Sequence, residues 1–197
     1  MKILVACEES QVVTKAFRKL GHEAYSCDIQ PCSGGFPEWH IQDDVKNVLN
    51  LKWDMLIAHP PCTYLSNAGA RYLYQGHQLN NDRYLKGLEG KELFMLFYNS
   101  PINKICIENP LPSKIYNLPL HSQIIQPFEF GEPFSKRTLL WLKGLPGLMA
   151  TDIIRFKNIQ STRKAAWFNS GGKERQKNRS KTFSGIAVAM AEQWSFH

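Results

Sequence analysis

The chain has 197 residues, with 24 Lys and Arg against 17 Asp and Glu, for a formal net charge of +7. A hydrophobic content of 43% with 12% aromatics excludes a disordered chain, and no apolar run approaches the roughly 20 residues that span a bilayer. Between Arg155 and Lys181 nine bases stand against one acid, a net of +8, so the remainder carries −1: one basic stretch on an electrically neutral body.

In chain order, Ile3-Leu4-Val5-Ala6 is a short apolar run rich in strand formers. Ser10 is placed to cap a helix in which Val12, Val13, Ala16, Phe17 and Leu20 fall at helical spacing until Gly21 ends it. Ala24 to Cys27 returns to strand and ends at Asp28, and a Pro/Gly-rich loop runs from Pro31 to Pro37. Val45 to Leu49 reads as a short helix. Met55 to Ala58 is a buried strand stopped by Pro60-Pro61. Asn67 to Asn81 is polar, a loop or lid. Leu85 to Tyr98, with Leu88, Leu93, Phe94, Leu96 and Phe97, reads as a buried helix. Ile105-Cys106-Ile107 is a strand ending in Glu108-Asn109-Pro110. Gln123 to Phe130 and Thr138 to Leu142 are strand-like, and Phe183 to Trp194 closes the chain as an amphipathic helix.

Continuous apolar strands alternating with helices predict an α/β fold: a doubly wound, mainly parallel sheet with helices on both faces, in one domain over 1–197. The N-terminal apolar run is too short for a signal peptide, and five irregularly spaced cysteines form no disulfide framework, so a reduced, cytoplasmic protein is expected. Ligands of such sheets sit beyond the carboxyl ends of the strands. The residues there are Cys7-Glu8-Glu9-Ser10, Asp28, His59-Pro60-Pro61-Cys62 and Glu108-Asn109-Pro110. A lone cysteine is usually a small buried hydrophobe. Cys62, after a strand and a rigid turn, reads instead as a nucleophile, and Glu108 occupies the equivalent place after the next strand.

Together these segments resemble the cytosine-5 DNA methyltransferase family. The run Ala58-His59-Pro60-Pro61-Cys62-Thr63-Tyr64-Leu65-Ser66-Asn67-Ala68-Gly69 is similar to its nucleophile motif, Gly-Pro-Pro-Cys-Gln-x-Phe-Ser-x-Ala-Gly. Ile107-Glu108-Asn109-Pro110 resembles its Glu-Asn-Val motif, and Lys136-Arg137-Thr138 its Gln-x-Arg-x-Arg motif, with Arg137 at the second arginine. Ser184-Gly185-Ile186-Ala187 looks like a worn version of its last motif. The four occur in family order over nearly the whole chain, and small phage- and prophage-borne members resemble it most, which would place it in the host cytoplasm. The resemblance implies a class I methyltransferase, Rossmann-like fold and S-adenosylmethionine as cofactor.

The chemistry fits these residue types. C5 of a pyrimidine is a poor nucleophile until something adds to C6, and a thiolate suits that addition. Cys62 is then the nucleophile. Glu108, its carboxyl expected to stay protonated in a half-dry crevice, is the acid that meets charge on N3, and Arg137 clamps O2. A base in duplex DNA must be flipped out to be reached. By the resemblance, Asp28 holds the ribose hydroxyls and Asp44 the adenine amino group, with Asp43 a competing candidate, and Pro60 lies at the cofactor. Ser10 and Glu8 are candidates for its methionine end, against the plainer reading that Glu9 and Ser10 only cap a helix.

Two departures from the family pattern stand out. The first loop, Cys7 to Gln11, lacks the glycines of Phe-x-Gly-x-Gly-Gly, which let backbone approach the methionine part. The interval that holds a recognition domain of about a hundred residues in full family members is here the short basic insert 143–181, too small for a core of its own. Its Arg163, Lys164, Lys173, Arg175, Lys177 and Arg179 suit phosphates, and Phe156, Trp167 and Phe168 suit base stacking. A solvated basic loop is the alternative. Phosphate contacts carry no sequence information, so little target specificity is expected. Three functions stay open: a DNA methyltransferase, an enzyme for a free cytidine nucleotide, or an inactive nucleic-acid-binding relative. His59 and Cys62 rule out an amino-methyltransferase Asp-Pro-Pro-Tyr site. Cys7, Cys27, Cys32 and His22 match no common zinc spacing, so no metal is expected. Trp39-His40 reads as packing.

Overall fold

The computed structural model describes residues 1–162 and 180–196. Its strands are β1 (Lys2–Ala6), β2 (Glu23–Asp28), β3 (His40–Gln42), β4 (Met55–Ala58), β5 (Tyr74–Gln75), β6 (Gln78–Leu79), β7 (Lys104–Asn109), β8 (Gln123–Ile125), β9 (Phe134–Ser135), β10 (Thr138–Lys143) and β11 (Gln160–Ser161). The helices are α1 (Val12–Lys19), α2 (Val45–Val48), α3 (Asn67–Ala70), α4 (Asn81–Tyr98) and α5 (Ser184–Trp194).

Seven strands form one sheet in the order β3-β2-β1-β4-β7-β10-β8. The pairs from β3 to β7 are parallel, and β10 runs antiparallel to both its neighbours. Chain order runs outward from β1 in one direction and from β4 in the other, so the crevice between β1 and β4 is the topological switch point. Both faces are covered, as the unbroken apolar strands predict. Alternate side chains divide between them. Ile3, Val5, Ile57, Cys106 and Leu140 meet Val13 and Phe17 of α1 and Ile186, Met190 and Trp194 of α5. Leu4, Ala6, Leu56, Ala58, Ile107 and Leu139 meet Val45 and Val48 of α2 and Phe94 and Phe97 of α4. Each such side chain stabilises by about 1.5–3 kcal/mol when fully buried.

Four sequence expectations are corrected. Asn67 to Asn81 is not simply a loop: it holds α3 and the β5–β6 hairpin. The run Gln123 to Phe130 is strand only to Ile125, because Pro127 has no N–H for a ladder and opens a 3-10 turn. Helix α4 is only partly buried, with Leu85 and Leu96 exposed. Ser10 does not cap α1. The N-cap is Gln11, in the left-handed region, and no cap side chain bonds the helix start.

Candidate active site

Strand β4 ends at Ala58, and the His59 N–H continues its ladder by donating to Ala6 O at 2.9 Å. Pro60 and Pro61 then fix the turn that presents Cys62, which is half-buried and in no disulfide. Ser66 caps α3 by accepting from Gly69 N, and its own N–H donates to Cys62 O at 3.0 Å. Gly69 has no room for a side chain: a Cβ there would stand 2.0 Å from Thr63 O. The short helix thus closes directly against the nucleophile turn.

Glu108 was expected just past its strand; it lies within β7, opposite Leu140 of β10. The two segments are stitched together. Asn109, 1% exposed, donates from Nδ2 to Pro60 O at 2.9 Å. Ser113 N donates to Leu65 O at 2.7 Å and Asn67 N to Leu111 O at 2.9 Å. The Cys62 turn and the Glu108 strand therefore converge at one place, through backbone and Asn109 contacts that leave the Glu108 side chain to other partners.

Those partners differ from the expectation. Glu108 Oε2 accepts from His59 Nδ1 at 3.1 Å, with side chains 13% and 7% exposed. Burial pushes the Glu108 carboxyl up, but the His59 hydrogen bond, the Lys136 ammonium and the His59 charge outweigh it. The net effect holds Glu108 below its ordinary value. The carboxyl expected to stay protonated is thus an ionised one in this setting, because a crevice that removes water also brings in a hydrogen-bond donor and the Lys136 ammonium. His59 Nε2 is buried with no hydrogen-bond partner among the described residues. Arg137 is exposed, while Lys136 lies over the Phe183 ring at 5.8 Å. His59, Lys136 and Asn109 were not singled out for a role; a histidine where the family motif has glycine was the available signal.

The β1 side of the crevice is built differently. The left-handed backbone that glycines provide elsewhere is taken by Cys7 (φ 59°) and Gln11 (φ 56°), at a cost of roughly 1–2 kcal/mol each. Glu8, 4% exposed, turns its carboxylate onto the start of α1: Oε1 accepts from Val13 N at 2.6 Å, and Oε2 accepts from Thr14 N at 3.2 Å and Thr14 Oγ1 at 2.7 Å. Glu8 is accordingly not free for the amino group of a ligand, a correction to its expected role. Gln11, fully buried, holds the 31–37 loop by donating to Phe36 O at 2.8 Å and accepting from Phe36 N at 3.1 Å. Ser33 donates to Glu9 through both its N–H and its hydroxyl. Ser10 is buried under this loop.

At the end of β2, Asp28 accepts from Gln30 N at 2.9 Å through Oδ1, and burial pushes its carboxyl up, opposed by the backbone bond from Gln30. Ile29 beside it is 73% exposed. Asp44 caps α2 by accepting from Lys46 N, while Asp43 accepts from Asn47 Nδ2 at 2.8 Å. The Cys7 thiol is pushed well up by burial, then by Asp28, Cys27 and Asp44, so both acids converge on the end of β1. An under-used carboxylate, an exposed apolar side chain and a second acid across a short gap suit the nucleoside end of S-adenosylmethionine.

The described part of the basic insert up to Thr162 packs on β9, as does Phe183 beyond its far end. β11 pairs parallel with β9, Thr162 Oγ1 donates to Ser135 O at 3.3 Å, and Phe134 and Phe183 stand 5.9 Å apart. Arg163, Lys164, Lys173, Arg175, Lys177 and Arg179, with Trp167 and Phe168, lie outside the described residues. His40 packs as expected, on Ser26 Oγ at 2.9 Å and Gln30 O at 2.8 Å, with Trp39 stacked on Phe36. Among the described residues no three His, Cys, Asp or Glu side chains are grouped to hold a metal, and no helix is long and apolar enough to cross a membrane.

Comparison with solved structures supplies the frame for this geometry. An Entamoeba histolytica methyltransferase, EhMeth, matches with a TM-score of 0.51 at 14% identity, over 77% of this chain and 57% of that one. The fold is that of a class I methyltransferase. A candidate DNA modification methyltransferase encoded within an E. coli prophage matches at 0.48 and 12% identity, over 77% and 51%. S. pombe Dnmt2 methyltransferase matches at 0.44 and 14%, over 74% and 51%. The chain spans only about half the length of these structures. No protein-family model and no curated protein matches it.

Proposed function

We propose that this chain is an S-adenosylmethionine-dependent methyltransferase acting on C5 of cytosine in DNA, of a compact phage or prophage type. The observation that carries the reading is the stitching of the Cys62 turn to the Glu108 strand through Asn109, Pro60 and the Leu65–Asn67 and Leu111–Ser113 segments. Those contacts hold a thiol and a carboxyl at the carboxyl ends of two adjacent strands, at the ligand edge of the sheet.

In this reading the Cys62 thiolate adds to C6, Glu108 delivers a proton to N3, and the exposed Arg137 holds O2. Asp28 takes the ribose hydroxyls and Asp44, with Asp43 the competing candidate, the adenine amino group; Pro60 closes the wall of the cofactor site. When bound, S-adenosylmethionine supplies an electrophilic methyl group. Loss of the C5 proton then releases Cys62. The insert, including Arg163, Lys164, Lys173, Arg175, Lys177 and Arg179, neutralises phosphates of a flipped-base DNA with little sequence preference.

The test is a covalent adduct with an oligonucleotide containing 5-fluorocytosine in the presence of S-adenosylmethionine. Wild type traps, and Cys62→Ala does not. Absence of any adduct with intact cofactor binding would overturn the reading. A second substrate size is favoured by the short insert: a free cytidine nucleotide. DNA activity loses affinity steeply with salt, roughly in proportion to the phosphates held, and nucleotide activity shows a shallow slope.

A further inference from the structure

Glu108 faces a contradiction within its own site. The reaction needs it as an acid toward N3, yet His59 and Lys136 hold it as a carboxylate. The proton has to be kept by a neighbour. The side chain in hydrogen-bond contact is His59, whose imidazole can hold a proton on either ring nitrogen or on both.

His59 is costly for a merely structural role. It is 7% exposed, and its Nε2 is buried without a partner among the described residues. An unsatisfied buried polar atom costs about 1–3 kcal/mol. The backbone does not call for a side chain here either, since the ladder bond at this position uses only the His59 N–H. The resembling family motif places a glycine at the same step. A buried cost without a structural return points to use at the site.

We propose that His59 is a positioning residue that stores the proton which Glu108 hands to the pyrimidine, so that the His59–Glu108 pair, rather than the carboxyl alone, is the acid. The inference rests on the cytosine C5 reading of the site. In the loaded pair the imidazole carries protons on both nitrogens beside the carboxylate. As the Cys62 sulfur bonds to C6, the C5=C6 electron pair moves to C4=C5 and the C4=N3 pair onto N3. The Nδ1 proton passes through Glu108 to N3, leaving a neutral imidazole protonated on Nε2. When the C6–S bond later breaks, the N3 proton returns by the same path. The other titratable groups acting on or sensing Glu108 are Lys136, ahead of β10, and Cys106 on β7, whose thiol burial and Glu108 push well up and keep neutral.

Release of tritium from C5-tritiated cytosine in an oligonucleotide, without cofactor, reads attack at C6 with protonation of N3, followed by entry of a solvent proton at C5, loss of the triton and departure of Cys62, with no methyl transfer. Wild type loses rate as pH rises through the titration of the pair. His59→Asn keeps an N–H donor for Glu108 but stores no proton. Its alkaline limb moves at least one pH unit to the acid side, and its rate at pH 7.5 falls at least about 10-fold, within the usual range for acid–base catalysis. His59→Ala loses donor and store and is slower at every pH. An Asn variant with the wild-type limb overturns the proposal. Lys136→Met is independent of the His59 fold: removing that cation moves the limb of the pair to higher pH, and an unmoved limb also overturns it. If wild type releases no tritium and traps no fluorocytosine at any pH, the cytosine reading itself has failed, a result distinct from either variant outcome.

Discussion

The two halves of the crevice place polar residues at equivalent strand ends, and treat them in opposite ways. On the β4–β7 side, Asn109 Nδ2 and backbone groups bond one another, which leaves the Glu108 side chain to His59. On the β1–β2 side the backbone claims the side chains. Glu8 is spent on the start of α1 and Gln11 on the loop above it. The same residue type at the same edge is therefore available chemistry in one half and scaffold in the other. What decides is whether the turn supplies its own hydrogen bonds.

Breaking the chemical half should have the largest effect. Cys62→Ala abolishes the fluorocytosine adduct and methyl transfer, measured by gel shift and by labelled methyl incorporation, with the melting temperature nearly unchanged because the thiol is only half-buried. Retained methyl transfer would remove Cys62 from the mechanism. Glu108→Gln comes next, with a loss on the order of 10²–10⁴ in rate while cofactor affinity by calorimetry stays within twofold. An equal fall in both would mean the strand end, not the acid, was damaged. In stability the sign is fixed by the held-down carboxyl. It stabilises above its unfolded value and loses that contribution as pH falls through the folded one, so wild type and Glu108→Gln converge in acid.

The sheet was legible because its strands are short unbroken apolar runs between helical spacings. That the Cys62 turn and the Glu108 strand meet at one edge was legible because both follow apolar runs that read as neighbouring strands. Three things were not. The fate of Glu8 depends on which way one side chain turns at a glycine-free loop, and spacing alone carries no such direction. The charge state of Glu108 depends on Lys136, brought beside it by β10 from 28 residues further along the chain. Helix α3 and the β5–β6 hairpin are too short for a periodic signal, and only the Ser-x-x-Gly cap marks the former.

Two substitutions sharpen the scaffold side of the contrast. Gly69→Ala drives a methyl into Thr63 O, so α3 must shift off the Cys62 turn, at a cost of about 1–3 kcal/mol for overpacking. Thermal unfolding reads the loss, and adduct formation falls with it; full activity at unchanged stability would show that the turn does not need the close approach. Glu8→Ala leaves the N–H groups of Val13 and Thr14 and the Thr14 hydroxyl buried without their acceptor, about 2–3 kcal/mol and a melting temperature lower by roughly 4–12 °C in a chain of this size. Cofactor affinity of the folded protein should hardly change. A tenfold weaker Kd at wild-type stability would restore Glu8 to the binding site.

The smallest effect tests whether any acid on the β1–β2 side is kept for ligand rather than fold. Burial pushes Asp28 up, so its ionised form is less comfortable folded than unfolded. A raised carboxyl contributes stability below its unfolded value and loses it as pH rises through the folded one. Asp28→Asn keeps the acceptor for Gln30 N while removing the charge. It should therefore raise the melting temperature at pH 7, by no more than about 2–4 °C, and the gain should vanish as pH falls below the carboxyl range. Affinity for S-adenosylmethionine should weaken at the same time, because a vicinal diol loses its charged acceptor. Gain in stability with loss of binding is the signature of a residue held against the preference of the fold. A variant less stable at pH 7, or one that binds the cofactor unchanged, would place Asp28 with Glu8 among the side chains the backbone has claimed.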